Sequence, residues 1–141
     1  MVKSILILLF TVFGLILNAQ TAELTIVVTD IELIKDSKIM VAVYNSEETF
    51  FDSEKVYRVL EVPVDSSAVV FTLSNMPEGV YAITMFHDED NDDEMDRKWY
   101  GPPKEGYAFS NNFTSNIRPA RFDDASFELT GDKTMEIRMV Y

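Results

Sequence analysis

The side chains of Leu24, Ile26 and Val28 alternate with those of Thr25, Val27 and Thr29. An extended strand with one buried face satisfies this period of two, and a helix does not. Residues 38–45 repeat the pattern through Ile39, Val41 and Val43. β-Branched strands of this kind need a second layer to bury their apolar faces. Further strands are predicted at 56–64, 68–73, 80–87, 126–129 and 134–140. They are punctuated at Pro63, Asp65-Ser66-Ser67, Asn75-Met76-Pro77-Glu78-Gly79 and Thr130-Gly131-Asp132-Lys133, where proline, glycine and short polar side chains favour turns. Within 46–55, Ser46 is placed to cap one short helical turn, and Phe50 and Phe51 are expected to close an end of the core. No segment supports a long helix. The pattern predicts an all-β fold, an antiparallel seven-stranded β-sandwich. A chain of 141 residues has room for one such domain.

Residues 1–19 read differently. Lys3 precedes an apolar run from 5 to 17, interrupted only by Thr11 and Gly14, and Asn18-Ala19-Gln20 follows. A basic start, about a dozen apolar residues and a small residue ahead of a polar one make the layout of a secretory signal peptide, cut after Ala19. The run is shorter than the roughly 20 apolar residues of a spanning helix. Residues 20–141 are therefore expected as a single exported domain, periplasmic or extracellular, with no transmembrane segment.

Twenty-four Asp and Glu against 12 Lys and Arg give a formal charge of −12, and loss of Lys3 with the leader takes it to −13. Such a surface repels phosphate backbones and argues against nucleic acid as a partner. The absence of Cys removes disulfides, thiolate metal sites, a cysteine nucleophile and a lipid anchor on an N-terminal cysteine. A single His leaves no centre built from several imidazoles.

Seven of the nine residues from 88 to 96 are acidic. Asp88, Asp90, Asp92 and Asp96 fall at positions 1, 3, 5 and 9 of a calcium-loop pattern, with Glu94 at position 7. A loop that coils around one ion turns alternate side chains inward toward it. Two positions depart from the helix-loop-helix pattern: Asp93 stands where glycine is usual, and Trp99 where a bidentate Glu is usual. Asp tolerates a positive φ, and Glu105 is the nearest carboxylate to complete the set. Two carboxylates about 5 Å apart repel by roughly 3 kcal/mol at an effective dielectric of 20, so a compact loop of this composition calls for a cation. Calcium is the expected ion, and Asp88, Asp90, Asp92, Glu94, Asp96 and Glu105 are the expected ligands. At extracellular affinities and about 1 mM calcium it contributes only about 0.4 to 1.4 kcal/mol. Its expected role is a clamp on the long crossover from 87 to 120.

That crossover holds Trp99, Tyr100, Tyr107, Phe109 and Phe113 among turn residues. Trp99, Tyr100, Tyr107, Asn111 and Asn112 could form a platform for an envelope protein or a glycan, or the rings could be a satellite core beneath the loop. His87, at a strand end beside carboxylates, is read as a hydrogen-bond donor to the ion-binding carboxylates of the loop or a simple strand-end residue. No nucleophile motif accompanies it. The leading reading is a non-catalytic exported module. A calcium-dependent carbohydrate-binding module and a small hydrolase pairing Asp88 or Asp96 with Glu105 are the alternatives.

Several separated motifs occur together in order: 87–92 with Asp96, Gly101-Pro102, Glu105-Gly106-Tyr107, 109–112 and 122–127, preceded by 41–46 and 77–81. In these the chain resembles the secreted bacterial proteins grouped as domain of unknown function 2141. The resemblance implies a small exported β-sandwich of Gram-negative bacteria, similar to prealbumin-like Greek-key or carboxypeptidase-regulatory modules. It implies no activity.

Overall fold

The computed structural model describes residues 20–98, 101 and 103–141, and the segment read as a leader lies outside them. The strands are β1 (Thr21–Thr29), β2 (Lys38–Tyr44), β3 (Arg58–Pro63), β4 (Val69–Pro77), β5 (Gly79–Asp88), β6 (Tyr107–Phe109), β7 (Ser126–Leu129) and β8 (Lys133–Arg138), with one short helix, α1 (Phe122–Ala125), ahead of β7. They form two sheets. One is ordered β4-β1-β8; the other is ordered β3-β2-β5-β6, with β7 also paired to β5. The protein is thus all-β, as its alternation predicts.

Two expectations need correction. Among the described residues there are eight strands, because Tyr107–Phe109, inside the expected crossover, pairs with β5 through Thr84, Met85 and Phe86. The pairing is also not wholly antiparallel, since β8 runs parallel to β1 from Leu24↔Lys133 to Thr29↔Arg138. No hairpin joins these two strands, so no turn dictates their relative direction.

The alternation places Leu24, Ile26 and Val28 of one sheet against Ile39, Val41, Val43 and Ile83 of the other, all fully buried in one core. Burying each such side chain contributes about 1.5 to 3 kcal/mol. The expected turn at 75–79 is mostly strand: β4 continues to Pro77, with only Glu78 before β5. The register against β1 shifts between Ala22 and Leu24, and Asn75 opposite that shift takes φ 56°. This bulge keeps Met76 facing the core.

A second cluster of Tyr44, Ala82, Phe122 and Ala125 is covered by Phe50. By alternation, Tyr44 and Ala82 face away from Val43 and Ile83, so this cluster lies on the outer face of the five-stranded sheet. Ser46 caps the short turn Glu47–Thr49 as expected, accepting the N–H of Glu48. Phe50 then packs edge-on against Tyr44 and Phe122. Phe51, at φ 67°, remains half exposed.

β6 and β7 occupy the same edge of β5 in succession. In the gap between them the buried Ser110 hydroxyl accepts the N–H of Ile83 at 2.9 Å and donates to the carbonyl of Ala125. That edge is therefore satisfied where neither strand reaches.

Candidate metal centre

The pairing of β5 with β6 builds the site. Phe86 faces Tyr107, and His87 N–H donates to the Gly106 carbonyl at 2.8 Å. Carrying this register two residues further sets Asp88 opposite Glu105 on the outer face. Asp90, on the loop leaving β5, completes a group of three carboxylates whose nearest oxygens all lie within 4.8 Å of one another. That is about twice a calcium–oxygen distance, so one ion can reach all three. Carboxylate oxygens are the ligands of hard cations such as calcium, magnesium or manganese.

Backbone amides hold two of the three carboxylates. Asp88 is fully buried and accepts Asp92 N–H at Oδ1 and Asp93 N–H at Oδ2, both at 3.1 Å. Glu105 accepts Glu89 N–H at 3.0 Å and Asp96 N–H at 2.9 Å. Burial pushes the Glu105 carboxyl upward, against the opposing pull of those amides. The loop curls through positive φ at Asn91 (61°) and Asp93 (68°). Asp93 therefore takes the left-handed conformation that glycine supplies in the usual calcium loop.

The remaining acidic candidates are turned to other partners. Asp92 accepts Glu94 N–H at 2.8 Å, and Asp96 pairs with Lys104 at 2.8 Å. Glu94 lies exposed. A lysine stands among the acids as well. Lys38, opposite Asp88 in the β2–β5 register, places its ammonium 3.7 Å from Asp88, 3.2 Å from Glu61, and against Asp93. The hydrogen bond to Asp93 first, and that to Glu61 after it, hold the Lys38 ammonium above its ordinary pKa. The sequence carries no sign of this contact, because it depends on which strands are neighbours.

Of the two readings of His87, the strand-end residue stands, since it is the penultimate residue of β5, and the donor to the loop is corrected. Its side chain does not reach the acidic loop, because successive strand residues face opposite sides and Asp88 takes the outer one. The imidazole is buried on the inner side, with Nε2 at 2.7 Å from Ser37 Oγ and Nδ1 at 2.8 Å from Tyr141 Oη. Burial lowers its pKa.

The expected ligand platform is dispersed. Trp99 and Tyr100 lie outside the described residues. Tyr107 is half-buried in β6. The Asn111 amide donates to the Ser126 carbonyl at 2.7 Å. Asn112 donates to the Glu136 carbonyl at 3.1 Å and accepts Arg138 N–H at 2.8 Å. Both asparagines thus spend their amides on neighbouring backbone.

No helix among the described residues is long and apolar enough to cross a membrane. Neither a curated protein nor a solved structure matches the chain. A family profile described as an uncharacterized protein conserved in bacteria (DUF2141) matches residues 26–138, from within β1 to the end of β8. With all eight strands and the acidic loop touched by that match, the chain belongs to the bacterial family DUF2141.

Proposed function

We propose that the protein is an exported, non-catalytic β-sandwich module of the prealbumin-like, Greek-key kind. In this reading it binds calcium through its acidic loop and serves as a binding or structural element of the cell envelope. The observation that carries the reading is the convergence of Asp88, Asp90 and Glu105 on one point, with two of the three buried. Buried carboxylates without a counter-charge are costly, and Lys38 approaches only the Asp88 side. An ion coordinated by these oxygens would join the end of β5 to the start of β6 and so order the loop between them. Sharing of one core by the two sheets supports the sandwich. The leader-like pattern of residues 1–19 supports export to the periplasm or beyond.

Partners on this reading are an envelope protein or a glycan. The acid-pair hydrolase has less support, since Asp88 and Glu105 are buried away from a substrate-sized partner and Asp96 is paired with Lys104. Thermal melting in 1 mM calcium and in chelator tests the proposal, with magnesium as control. A calcium-specific rise in Tm, together with calorimetric binding, is expected. Superimposable curves would end the calcium reading.

A further inference from the structure

The two sheets meet edge to edge at one seam. β6 and β8 are edge strands of their respective sheets, and Tyr107 and Val140 exchange two backbone hydrogen bonds of 2.9 Å across the seam. Beside that bridge lies a cavity of about 230 Å³. It is smaller than the roughly 300 to 1,000 Å³ of pockets for drug-sized ligands, which restricts an occupant to a small metabolite. Phe109 and Phe113 line one side, Met139 adds apolar surface, and Asp30 and Arg138 bring charge.

Two features of the lining specify a chemistry. The rings of Phe109 and Phe113 have centroids 6.4 Å apart and planes at 65°, an angled apolar corner that suits another ring edge to face. Asp30 and Arg138 carry opposite charges, yet neither forms an ion pair with the other or with any described residue. Asn112 Oδ1 accepts the Arg138 backbone N–H at 2.8 Å, which anchors the strand where Arg138 lines the cavity. In a chain with 24 carboxylates, an arginine without one is available to a carboxylate from outside, which its planar fork binds bidentately.

We propose that this seam binds a free α-amino acid with an apolar, preferably aromatic, side chain. Its carboxylate meets Arg138, its ammonium meets Asp30, and its side chain enters the corner between Phe109 and Phe113. The site is separate from the acidic loop and stands whether or not the loop binds calcium.

Calorimetry and amide chemical-shift mapping of the purified protein test this with L-phenylalanine, N-acetyl-L-phenylalanine and L-phenylalanine amide. The free amino acid is expected to bind and to shift resonances of the β6–β8 seam. Removing either charge, in the probe or by Arg138→Gln or Asp30→Asn, is expected to weaken binding roughly tenfold or more. Binding of the N-acetyl probe should be insensitive to Asp30→Asn, and that of the amide to Arg138→Gln. Both residues are exposed, so an unchanged Tm checks that the variants keep the fold. The proposal is overturned if millimolar phenylalanine leaves the seam unshifted, if both variants bind like the parent, or if only one of the two charges matters.

Discussion

The hydroxyl of Tyr141 lies 2.8 Å from Nδ1 of His87 and accepts the backbone N–H of Glu32 at 2.9 Å. Because Ser37 spends its proton on the Ile34 carbonyl at 2.8 Å, its Oγ accepts from Nε2–H, and the neutral imidazole then accepts the Tyr141 hydroxyl proton at Nδ1. One neutral histidine thus links the 31–37 segment, β5 and Tyr141. Tyr141→Phe keeps the ring but leaves Nδ1 and the Glu32 N–H without their partner. A loss of about 1 to 3 kcal/mol in urea unfolding is expected, and an unchanged midpoint would dissolve the network as a stabilising unit.

Gly106 lies against the same ring. A Cβ there would fall within 2.8 Å of Cδ1 and Cζ of Tyr141, so Gly106→Ala must displace the ring or the strand, at a cost of about 1 to 3 kcal/mol. Adding Tyr141→Ala removes the obstacle. The double variant is therefore expected to be more stable than the sum of the single losses allows, and simple additivity in the same unfolding assay would contradict the contact.

Asp88 and Asp90 separate folding from ion binding. Asp90 is exposed and lies outside the amide bonds that hold Asp88 and Glu105. Asp90→Asn should leave Tm in chelator unchanged, within the usual ±0.5 kcal/mol of a surface substitution, while shrinking the calcium-induced rise. Asp88→Asn replaces one of two accepting oxygens with an NH₂ group facing a backbone N–H. It should lower stability by about 1 to 3 kcal/mol even in chelator. Equal behaviour of the two variants in chelator would remove the structural role assigned to Asp88.

Local periodicity made β1 and β2 legible, because Leu24, Ile26, Val28, Ile39, Val41 and Val43 all face one core. The three-residue strand Tyr107–Phe109 is too short to carry a period and reads as aromatic loop. Its strand state comes from the free edge of β5. The carboxylate pair Asp88 and Glu105 was legible as composition and position, but the restriction of the convergent set to Asp88, Asp90 and Glu105 follows from the β5–β6 register. Lys38 and Tyr141 were invisible for the same reason, since each meets its partners only through strand neighbours distant in sequence. His87 shows the limit of adjacency: one residue along a strand is the opposite face of the sheet.

Asn112 protects the outer edge of β8. Its amide donates to Glu136 and accepts from Arg138, as a neighbouring strand would, and it does so at φ 53°. Asn112→Gly keeps the conformation and loses the amide. Asn112→Ala loses the amide and adds a left-handed Cβ penalty of about 1 to 2 kcal/mol. The alanine variant should be the less stable by that difference, with faster hydrogen exchange at Arg138 in both. Equal stabilities would show that the positive φ relaxes on substitution.

Asp124 supplies a pH dependence of definite sign. Arg118 grips both of its oxygens at 2.6 and 2.9 Å, and the N–H of Arg121 adds a third bond of 2.8 Å at the start of α1. The guanidinium first, and that amide second, pull the carboxyl down to about 2, below the ordinary value near 3.9. Because the folded pKa is the lower one, the unfolded chain binds the proton more readily. The contribution is complete above about pH 4 and is lost as pH falls toward 2. Salt and solvent screen the pair, so the effect on total stability is modest. It is best read as a difference between two proteins: subtracting the stability profile of Asp124→Asn from that of the parent should leave a curve flat above pH 4 and descending below it. A flat difference throughout would mean that Arg118 and Asp124 are not paired in solution, and that Phe122 is seated by its apolar contacts alone.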